Sequence, residues 1–146
     1  MKKYKVKSEF INTLEEVFFA SCKMLISSIK HIDSNQDVSI HNLKGFRMQT
    51  AKGEFVITEC SMENGISYEI NDGSKMDVSC INFESIDENR TYLFYSEFGE
   101  SNSKFTEFMF WLKMTFDKKS FDIKAKSIIG SIKYFLENVK RNEYER

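Results

Sequence analysis

The sequence predicts an α+β fold in which a curved antiparallel sheet of about six strands packs on a long C-terminal helix. Three observations predict it: an alternating segment followed by an amphipathic helix, a run of five short alternating segments, and a long amphipathic segment near the C-terminus. Strand, helix, five strands and then helices is an order typical of α+β proteins. The length of 146 residues is the usual size of one domain, so we expect a single domain over 1–146.

The N-terminal segment is predicted to form a strand and then a helix. Residues 3–10 alternate between polar and apolar side chains, as in a strand with one wet face. Thr13 and Glu16 have the spacing of a capping box, which begins a helix. The apolar side chains that follow recur at helical spacing and form one stripe. We therefore expect a helix that begins after Thr13 and ends near His31.

The middle of the chain is predicted to be a β-meander. Turn-forming pairs such as Asn64-Gly65 and Asp72-Gly73 separate alternating segments, and short connections force antiparallel neighbours. The candidate strands are 45–50, 54–61, 66–71, 75–85 and 91–99. Together with the first strand they give a sheet of about six strands.

The register of the first hairpin follows from the rule that residues paired across a ladder share a face. A two- or four-residue loop at Asn64-Gly65 places Glu59 on the same face as Tyr68. The apolar residues predicted to share that face are Phe55, Ile57, Ile66 and Ile70. The alternative is the opposite parity, in which the inward residues of this strand are Val56, Thr58 and Cys60.

The second hairpin is predicted to have an odd-length loop at Asp72-Gly73, with a bulge. Such a loop matches the Tyr68 face with alternate apolar residues of the next strand. Those residues are Met76, Val78 and Cys80. The apolar parity further along this strand then shifts, which indicates a second bulge near Cys80.

The third hairpin pairs the last strand of the meander with the part of the preceding strand that lies beyond the predicted bulge near Cys80. Ile81 and Phe83 are the apolar residues on this part of the strand. Segment 91–99 supplies Tyr92 and Phe94 opposite them. The sequence therefore predicts that these two aromatic side chains face the interior.

The C-terminal part is predicted to be helical in two pieces. Segment 105–116 has apolar side chains nearly all round a helix, so it forms core, a lid over a pocket, or a contact for a partner, a second copy or a membrane surface. Beyond Asp117, an apolar stripe that includes Ile132 predicts an amphipathic helix to about residue 143, roughly 35 Å long. Such a helix is long enough to cross a whole sheet.

A curved sheet wrapped round a long terminal helix is the helix-grip arrangement, and short segments along the whole chain resemble one group of such proteins. The segments are 13–19 (TLEEVFF), 43–46 (LKGF), 56–59 (VITE), 95–98 (YSEF) and the Phe-rich stretch before the last helix. They resemble the uncharacterised bacterial family domain of unknown function 3284, within the START-like and polyketide-cyclase-like helix-grip superfamily (SRPBCC). The resemblance implies the fold but no activity, because no reaction is known for the narrow family. The broad group includes lipid carriers, cyclases, hormone receptors and chaperone co-activators.

Composition narrows the classes of partner. The net charge is −1, with 21 basic and 22 acidic residues, so no overall field attracts nucleic acid. No segment approaches the roughly 20 apolar residues of a transmembrane helix, and the start MKKYKVKSEF lacks the apolar run of a secretory signal. Three cysteines without CxxC spacing are typical of reduced thiols in a cytoplasmic protein.

Neither a cofactor nor a metal is expected from the motifs. GxGxxG and P-loop patterns do not occur. His31 and His41 are the only histidines in the sequence, and they lack further ligands at zinc-binding spacing. Because no catalytic signature is present, we favour a non-enzymatic role.

The predicted functional site is a pocket between the C-terminal helix and the sheet. Its predicted ligand-binding residues are Glu59, Tyr68, Ile70, Val78, Tyr92, Phe94 and Ile132. Aromatic and aliphatic side chains around a few polar groups are typical of small-molecule sites. The leading hypothesis is therefore that the protein binds a small apolar or amphipathic molecule there.

Two alternatives stay open. The first is a protein-interaction or homodimer module that uses the Phe-rich helix 105–116. The second is a cyclase- or hydratase-type enzyme, in which Glu59, the one catalytic candidate, acts as general acid or base beside Tyr68. For Tyr68 and Tyr92, core packing with the hydroxyl bonded to the backbone is the alternative to ligand contact.

Overall fold

Residues 4–73, 75–101 and 118–144 are described by the computed structural model. The elements are strands β1 (Tyr4–Phe10), β2 (Arg47–Thr50), β3 (Gly53–Ser61), β4 (Gly65–Asn71), β5 (Lys75–Asp87) and β6 (Arg90–Ser101), helices α1 (Leu14–Ile32) and α2 (Lys118–Tyr144), and a 3-10 turn at Ile40–Asn42. The predicted helix 105–116 lies outside the described residues. Elsewhere the predicted elements match the observed ones to within about two residues.

Helix α1 begins at the predicted capping box. The hydroxyl of Thr13 accepts a hydrogen bond from the backbone N–H of Glu16 at 3.1 Å, and the N–H of Thr13 donates to the Glu16 carboxylate at 3.0 Å. This reciprocal pair satisfies two of the amide groups that a helix start leaves unbonded. Beyond it, one face of the helix is buried from Val17 to Ile29. The prediction of this helix is confirmed.

In the described part of the chain, the strands form one six-stranded antiparallel sheet with the order β1-β6-β5-β4-β3-β2. Strands β2 to β6 follow one another as a meander, and β1 closes the order by pairing with β6 along its whole length. The α+β prediction, with about six antiparallel strands and a long C-terminal helix, is confirmed.

The β3–β4 turn has a geometric requirement for glycine. Gly65 has a φ of +82°, in the left-handed region that favours glycine. A Cβ at this position would overlap the backbone carbonyl oxygen of Ile81 on the neighbouring strand β5. Gly65 therefore serves both as a turn residue and as a point of close approach between β4 and β5.

Helices α1 and α2 contact each other and cover one face of the sheet, which we call the inner face. The core between them contains Val17 and Cys22 from α1, Ile57, Ile66, Ile81, Leu93 and Tyr95 from the strands, and Ile132 and Leu136 from α2. Most of the hydrophobic stabilisation comes from this layer, because these side chains are almost fully removed from water. Among the described residues, no helix combines the length and apolar character needed to cross a membrane.

The predicted register of β3 is correct for two residues and wrong for Glu59. The predicted two- or four-residue loop is wrong, because Ser61 pairs with Gly65 across the three residues 62–64. Phe55 nevertheless lies opposite Ile70 and Ile57 lies opposite Tyr68, so both share the predicted face, because a bulge further along β3 offsets the odd loop. A bulge then leaves Thr58 unpaired, so that Glu59 lies opposite Ser67 and faces away from Tyr68. One extra residue in a strand reverses the face of every residue beyond it.

The predicted odd loop between β4 and β5 is wrong. Asn71 pairs with Met76, so four sequence positions, 72–75, separate these paired residues and the parity is even. Tyr68 consequently lies opposite Ser79, while Val78 lies opposite Glu69 on the other face of the sheet, the outer face. The pairing runs without a shift as far as Ile66 and Ile81, so the second predicted bulge near Cys80 is also wrong.

The third hairpin contains a further bulge that the hydrophobic pattern does not predict, in strand β5. Ser85 pairs with Thr91 and Asp87 pairs with Arg90, which leaves Ile86 as the extra residue. As a result, Tyr95 lies opposite Ile81 and Leu93 lies opposite Phe83. The prediction that Tyr92 and Phe94 lie opposite Ile81 and Phe83 is wrong, because both aromatic residues belong to the outer face.

Candidate functional site

A row of side chains with polar ends crosses the inner face. Tyr68 on β4 lies opposite Ser79 on β5, Ser79 lies opposite Glu97 on β6, and Glu97 lies opposite Tyr4 on β1. Tyr95 stands two residues before Glu97 on β6 and therefore points to the same face. Consecutive strands thus bring together groups that are far apart in the sequence.

A hydrogen bond and electrostatic contacts join these groups into a cluster. The Tyr95 hydroxyl donates to the Glu97 carboxylate at 2.5 Å. The side chains of Ser79 and Tyr95 lie close enough to the Tyr68 hydroxyl to influence its pKa. Buried polar groups are costly unless they are paired in this way, so the pairing explains how an otherwise apolar face tolerates them.

Helix α2 supplies the charge that balances Glu97. The ammonium group of Lys124 lies 2.6 Å from Oε1 of Glu97. The side chain of Glu97 is only 19% exposed, whereas that of Lys124 is 57% exposed. The ion pair therefore joins the helix to the sheet at a point where the interior opens toward solvent. We call Tyr68, Ser79, Tyr95, Glu97 and Lys124 the polar cluster.

The tyrosine hydroxyls of the polar cluster stay protonated at neutral pH. Burial raises the pKa of Tyr68 from 10 to about 12. Burial, the nearby Tyr68 and the Glu97 carboxylate all raise the pKa of Tyr95. A group that holds its proton so firmly donates hydrogen bonds and is a poor general base. The cluster thus presents hydroxyl donors beside one carboxylate acceptor.

Aromatic rings enclose the polar cluster. Phe121 of α2 stacks on Tyr4 with a centroid distance of 5.1 Å and on Tyr95 with a distance of 5.8 Å. On the other side, Phe55 contacts Tyr68 at 5.7 Å. Residues three apart on a helix point to the same side, which is why Phe121 and Lys124 reach the cluster together. The first turns of α2 therefore carry both an apolar wall and a counter-charge.

The residues predicted to bind a ligand are divided between the two faces. Tyr68 and Ile70 contact the core from the inner face, and Ile132 is fully buried on α2. Val78, Tyr92 and Phe94 belong to the outer face, so they cannot line a site between the helix and the sheet. Tyr68, Ile70 and Ile132 stay predictions as ligand contacts.

Glu59 has a different environment from the one predicted. Its side chain is 28% exposed and lies 3.5 Å from the ammonium group of Lys44. The same carboxylate accepts a hydrogen bond from the backbone N–H of Cys60 at 2.9 Å. The structure thus gives Glu59 a role at the β3 bulge rather than a place beside Tyr68.

The sequence prediction missed most of the polar cluster. Ser79, Tyr95 and Glu97 fall on the face that the assumed register turned outward, and Lys124 lies beside the apolar stripe of α2, where a lysine is normally solvated. The signal that could have found them is the Tyr-x-Glu spacing in β6, which places a phenol and a carboxylate on one face. In the described ranges, no three His, Cys, Asp or Glu side chains are grouped to hold a metal.

Comparison with solved structures identifies the fold. A protein of unknown function from Staphylococcus aureus matches with a TM-score of 0.57 and 14% identity, over 96% of this chain and 97% of that chain. Ara h 8.0201 matches with a TM-score of 0.59 and 12% identity, over 94% and 98% of the two chains. Norcoclaurine synthase from Thalictrum flavum matches with a TM-score of 0.59 and 10% identity, over 93% and 87%. The chain has a helix-grip fold.

The similarity goes no further than the fold. No protein-family model and no curated protein matches this sequence. The resemblance to domain of unknown function 3284 therefore stays a prediction. At these identities the solved structures carry no information on the chemistry of the site, which has to be argued from its own residues.

Proposed function

We propose that this protein binds a small apolar or amphipathic molecule between α2 and the inner face of the sheet, with the polar end of the molecule at the polar cluster. The observation that supports this is the placement of Tyr68, Tyr95 and Glu97 on a face that is otherwise apolar. Sites for small molecules characteristically combine apolar walls with a few convergent polar groups. The Glu97–Lys124 ion pair lies where such a molecule would enter.

A purely structural role is the weaker account of the polar cluster. Replacing a buried ionic network by apolar residues of similar volume is often neutral or stabilising, so such a network is not needed for stability alone. Here the carboxylate of Glu97 stays partly exposed, and the Lys124 side chain that covers it is more than half exposed. A ligand can therefore reach Glu97 when the flexible lysine moves aside.

The charges of the cluster define the polar end of the ligand. The Tyr95 hydroxyl already donates to Glu97, so the protonated Tyr68 hydroxyl is the donor left for a ligand, and the remaining lone pairs of the Glu97 carboxylate are the acceptors. A neutral hydroxyl group both donates and accepts, so it suits this pair of neighbours. A ligand carboxylate would have to compete with Glu97 for the ammonium group of Lys124, and Glu97 would repel it. The proposed ligand is therefore an apolar molecule that carries an alcohol or phenol group.

The structure bears differently on the two alternatives that the sequence left open. The enzyme hypothesis relied on Glu59 beside Tyr68, and these residues lie on opposite faces of the sheet. The same fold does occur in norcoclaurine synthase, which its name describes as an enzyme. The interaction hypothesis rests on segment 105–116, which lies outside the described residues and stays a prediction.

Binding of matched probes tests the proposal. Calorimetric titration with 2-naphthol and with 2-naphthoate compares a neutral phenol with an anion of nearly the same shape. We expect the phenol to bind and the carboxylate to bind at least about tenfold more weakly. Tyr68→Phe removes a hydrogen-bond donor, and Glu97→Gln replaces a charged acceptor by a weaker neutral one, so either substitution should weaken phenol binding about five- to tenfold.

Tyr92→Phe is the matched control, because it removes the same hydroxyl from the outer face. It should leave the dissociation constant unchanged. The proposal fails if neither probe binds saturably, or if Tyr92→Phe weakens binding as much as Tyr68→Phe. Circular dichroism of each variant shows whether the fold is kept.

A further inference from the structure

Two cysteines from different elements meet on the inner face. Sγ of Cys22 on α1 lies 3.7 Å from Sγ of Cys60 on β3, across a separation of 38 residues. Both are free thiols. Cys22 is 0% exposed, while Cys60 is partly buried. The pair therefore has one sulfur sealed in the core and one that small molecules can approach.

The bulge in β3 brings this pair together. Because Thr58 is unpaired, Cys60 lies opposite Ile66, whose side chain is part of the core. Without the extra residue, Cys60 would point to the outer face and away from α1. Cys22 points inward because it belongs to the buried stripe of α1. A local irregularity of the strand thus creates the contact between the thiols.

The two thiols differ in acidity. The hydrogen bond with Cys22 lowers the pKa of Cys60. The same hydrogen bond, together with burial, raises the pKa of Cys22. Cys60 is therefore the thiol that loses its proton first, and the thiolate is the nucleophile in thiol oxidation.

We infer that Cys22 and Cys60 form an oxidation site that reacts with hydroperoxides and closes to a disulfide. The sulfur of Cys60 attacks one oxygen of the hydroperoxide, the O–O bond breaks, and Cys60 becomes a sulfenic acid. The sulfur of Cys22 then attacks the sulfur of Cys60. The S–O bond breaks, and the hydroxyl leaves as water with the proton of Cys22.

The step is balanced in atoms and electrons. The two thiols together lose two electrons, and one hydroperoxide gains them. Hydrogen peroxide yields two waters, and an organic hydroperoxide yields one water and one alcohol. The sulfurs need to approach by about 1.7 Å to reach bonding distance, a movement that side-chain rotation and a small shift of α1 can supply.

The product ties α1 to β3 with a covalent bond. Cross-linking residues 38 apart restricts the unfolded chain and stabilises the fold. We expect the oxidised protein to unfold at a temperature higher by roughly 5–15 °C, reversed by dithiothreitol. This inference is independent of the proposed ligand.

Peptide mapping of the wild-type chain is the first test. The protein is treated with equimolar hydrogen peroxide, free thiols are alkylated with N-ethylmaleimide, and the chain is digested without reduction. We expect a peptide pair linked through Cys22 and Cys60, with Cys80 alkylated. An intermolecular link, a link that includes Cys80, or alkylation of all three cysteines would overturn the inference.

Cys80 provides the matched control. It is partly buried like Cys60 but lies on the outer face, where the Ser67 hydroxyl donates to its sulfur at 3.5 Å. Cys80→Ser should leave the cross-link and the thermal shift intact, and Cys60→Ser should abolish both. In Cys22→Ser, dimedone should label Cys60, because its sulfenic acid has no second thiol to react with. Labelling of Cys80 instead would contradict the assignment of Cys60 as the reacting thiol.

Discussion

Strand β6 carries aromatic side chains on both faces, and the two faces differ in how the rings are held. On the inner face, Tyr95 is 0% exposed and donates a hydrogen bond to a carboxylate. On the outer face, Tyr92 and Phe94 are partly exposed and lie beneath lysines of β1. The ammonium group of Lys7 is 3.7 Å from the Tyr92 ring centroid, and that of Lys5 is 4.6 Å from the Phe94 centroid. The ring on the inner face is held by burial and a hydrogen bond, and the rings on the outer face are held by contact with solvent-exposed lysine side chains.

The difference teaches that residue type alone does not decide which rings become core. Tyr92 and Tyr95 are the same residue three positions apart in one strand, and each has one apolar and one hydroxyl-bearing neighbour. The bulge at Ile86 sets the parity of β6 against β5 and so selects Tyr95 for the interior. Pairing of β6 with β1 also places Tyr95 on the inner face, because Tyr95 lies opposite Val6, which packs against the core.

Truncating one ring on each face is expected to give the largest effect. Tyr95→Ala removes a fully buried ring and its hydrogen bond, and should lower the free energy of unfolding by about 3–5 kcal/mol. Phe94→Ala on the outer face should cost about 1 kcal/mol or less. Urea-induced unfolding followed by circular dichroism measures both values. Equal costs would mean that the outer face is covered as thoroughly as the inner one.

The pH dependence of stability tests the polar cluster. The pKa of Tyr68 rises from 10 to about 12 on folding, because of burial. Between these values the unfolded chain releases the proton while the folded chain keeps it. The stability that Tyr68 contributes is therefore fully present below pH 10 and is lost as the pH rises to 12, by up to about 1.4 kcal/mol per pH unit.

Tyr68→Phe removes this titration and leaves that of Tyr95. We expect the free energy of unfolding of the wild type to fall faster than that of the variant between pH 10 and 12, by about 2.7 kcal/mol in total at most. Urea unfolding at pH 9, 10, 11 and 12 measures the difference. Tyr92→Phe is the control and should follow the wild type. Parallel curves for the wild type and Tyr68→Phe would show that Tyr68 is not desolvated.

The order of elements and the ends of the helices could be predicted from the sequence, because they depend on local chemistry. Thr13 and Glu16 define the start of α1 without help from the rest of the chain, and the apolar stripe defines α2. The faces of the strands could not be predicted. Each depends on a single extra or missing residue: the bulges at Thr58 and Ile86, the odd loop 62–64, and the even number of residues between Asn71 and Met76. Such irregularities change little in the hydrophobic pattern but reverse every side chain beyond them.

The polar cluster was hidden for the same reason. Ser79, Tyr95 and Glu97 lie on strands whose faces the sequence pattern does not predict, and Lys124 joins them only through the contact between α2 and β6. The sequence of one strand does not show which residues of the neighbouring strands and of the helix it will contact. The candidate site is therefore a property of the register, whereas the fold class is a property of the element order.

The weakest expected effect belongs to the outer face and isolates its cations. A cation above an exposed aromatic ring contributes about 0.5–1 kcal/mol. Lys7→Met keeps most of the side-chain stem and removes the charge, and Tyr92→Leu keeps apolar volume and removes the ring. A double-mutant cycle on these two residues should give a coupling energy of about 0.5–1 kcal/mol. The same cycle between Lys7→Met and Ile81→Val, on opposite faces, should be additive within about 0.5 kcal/mol. A coupling energy of zero would show that Lys7 does not stabilise the Tyr92 ring. The outer rings would then be held in place by strand pairing alone.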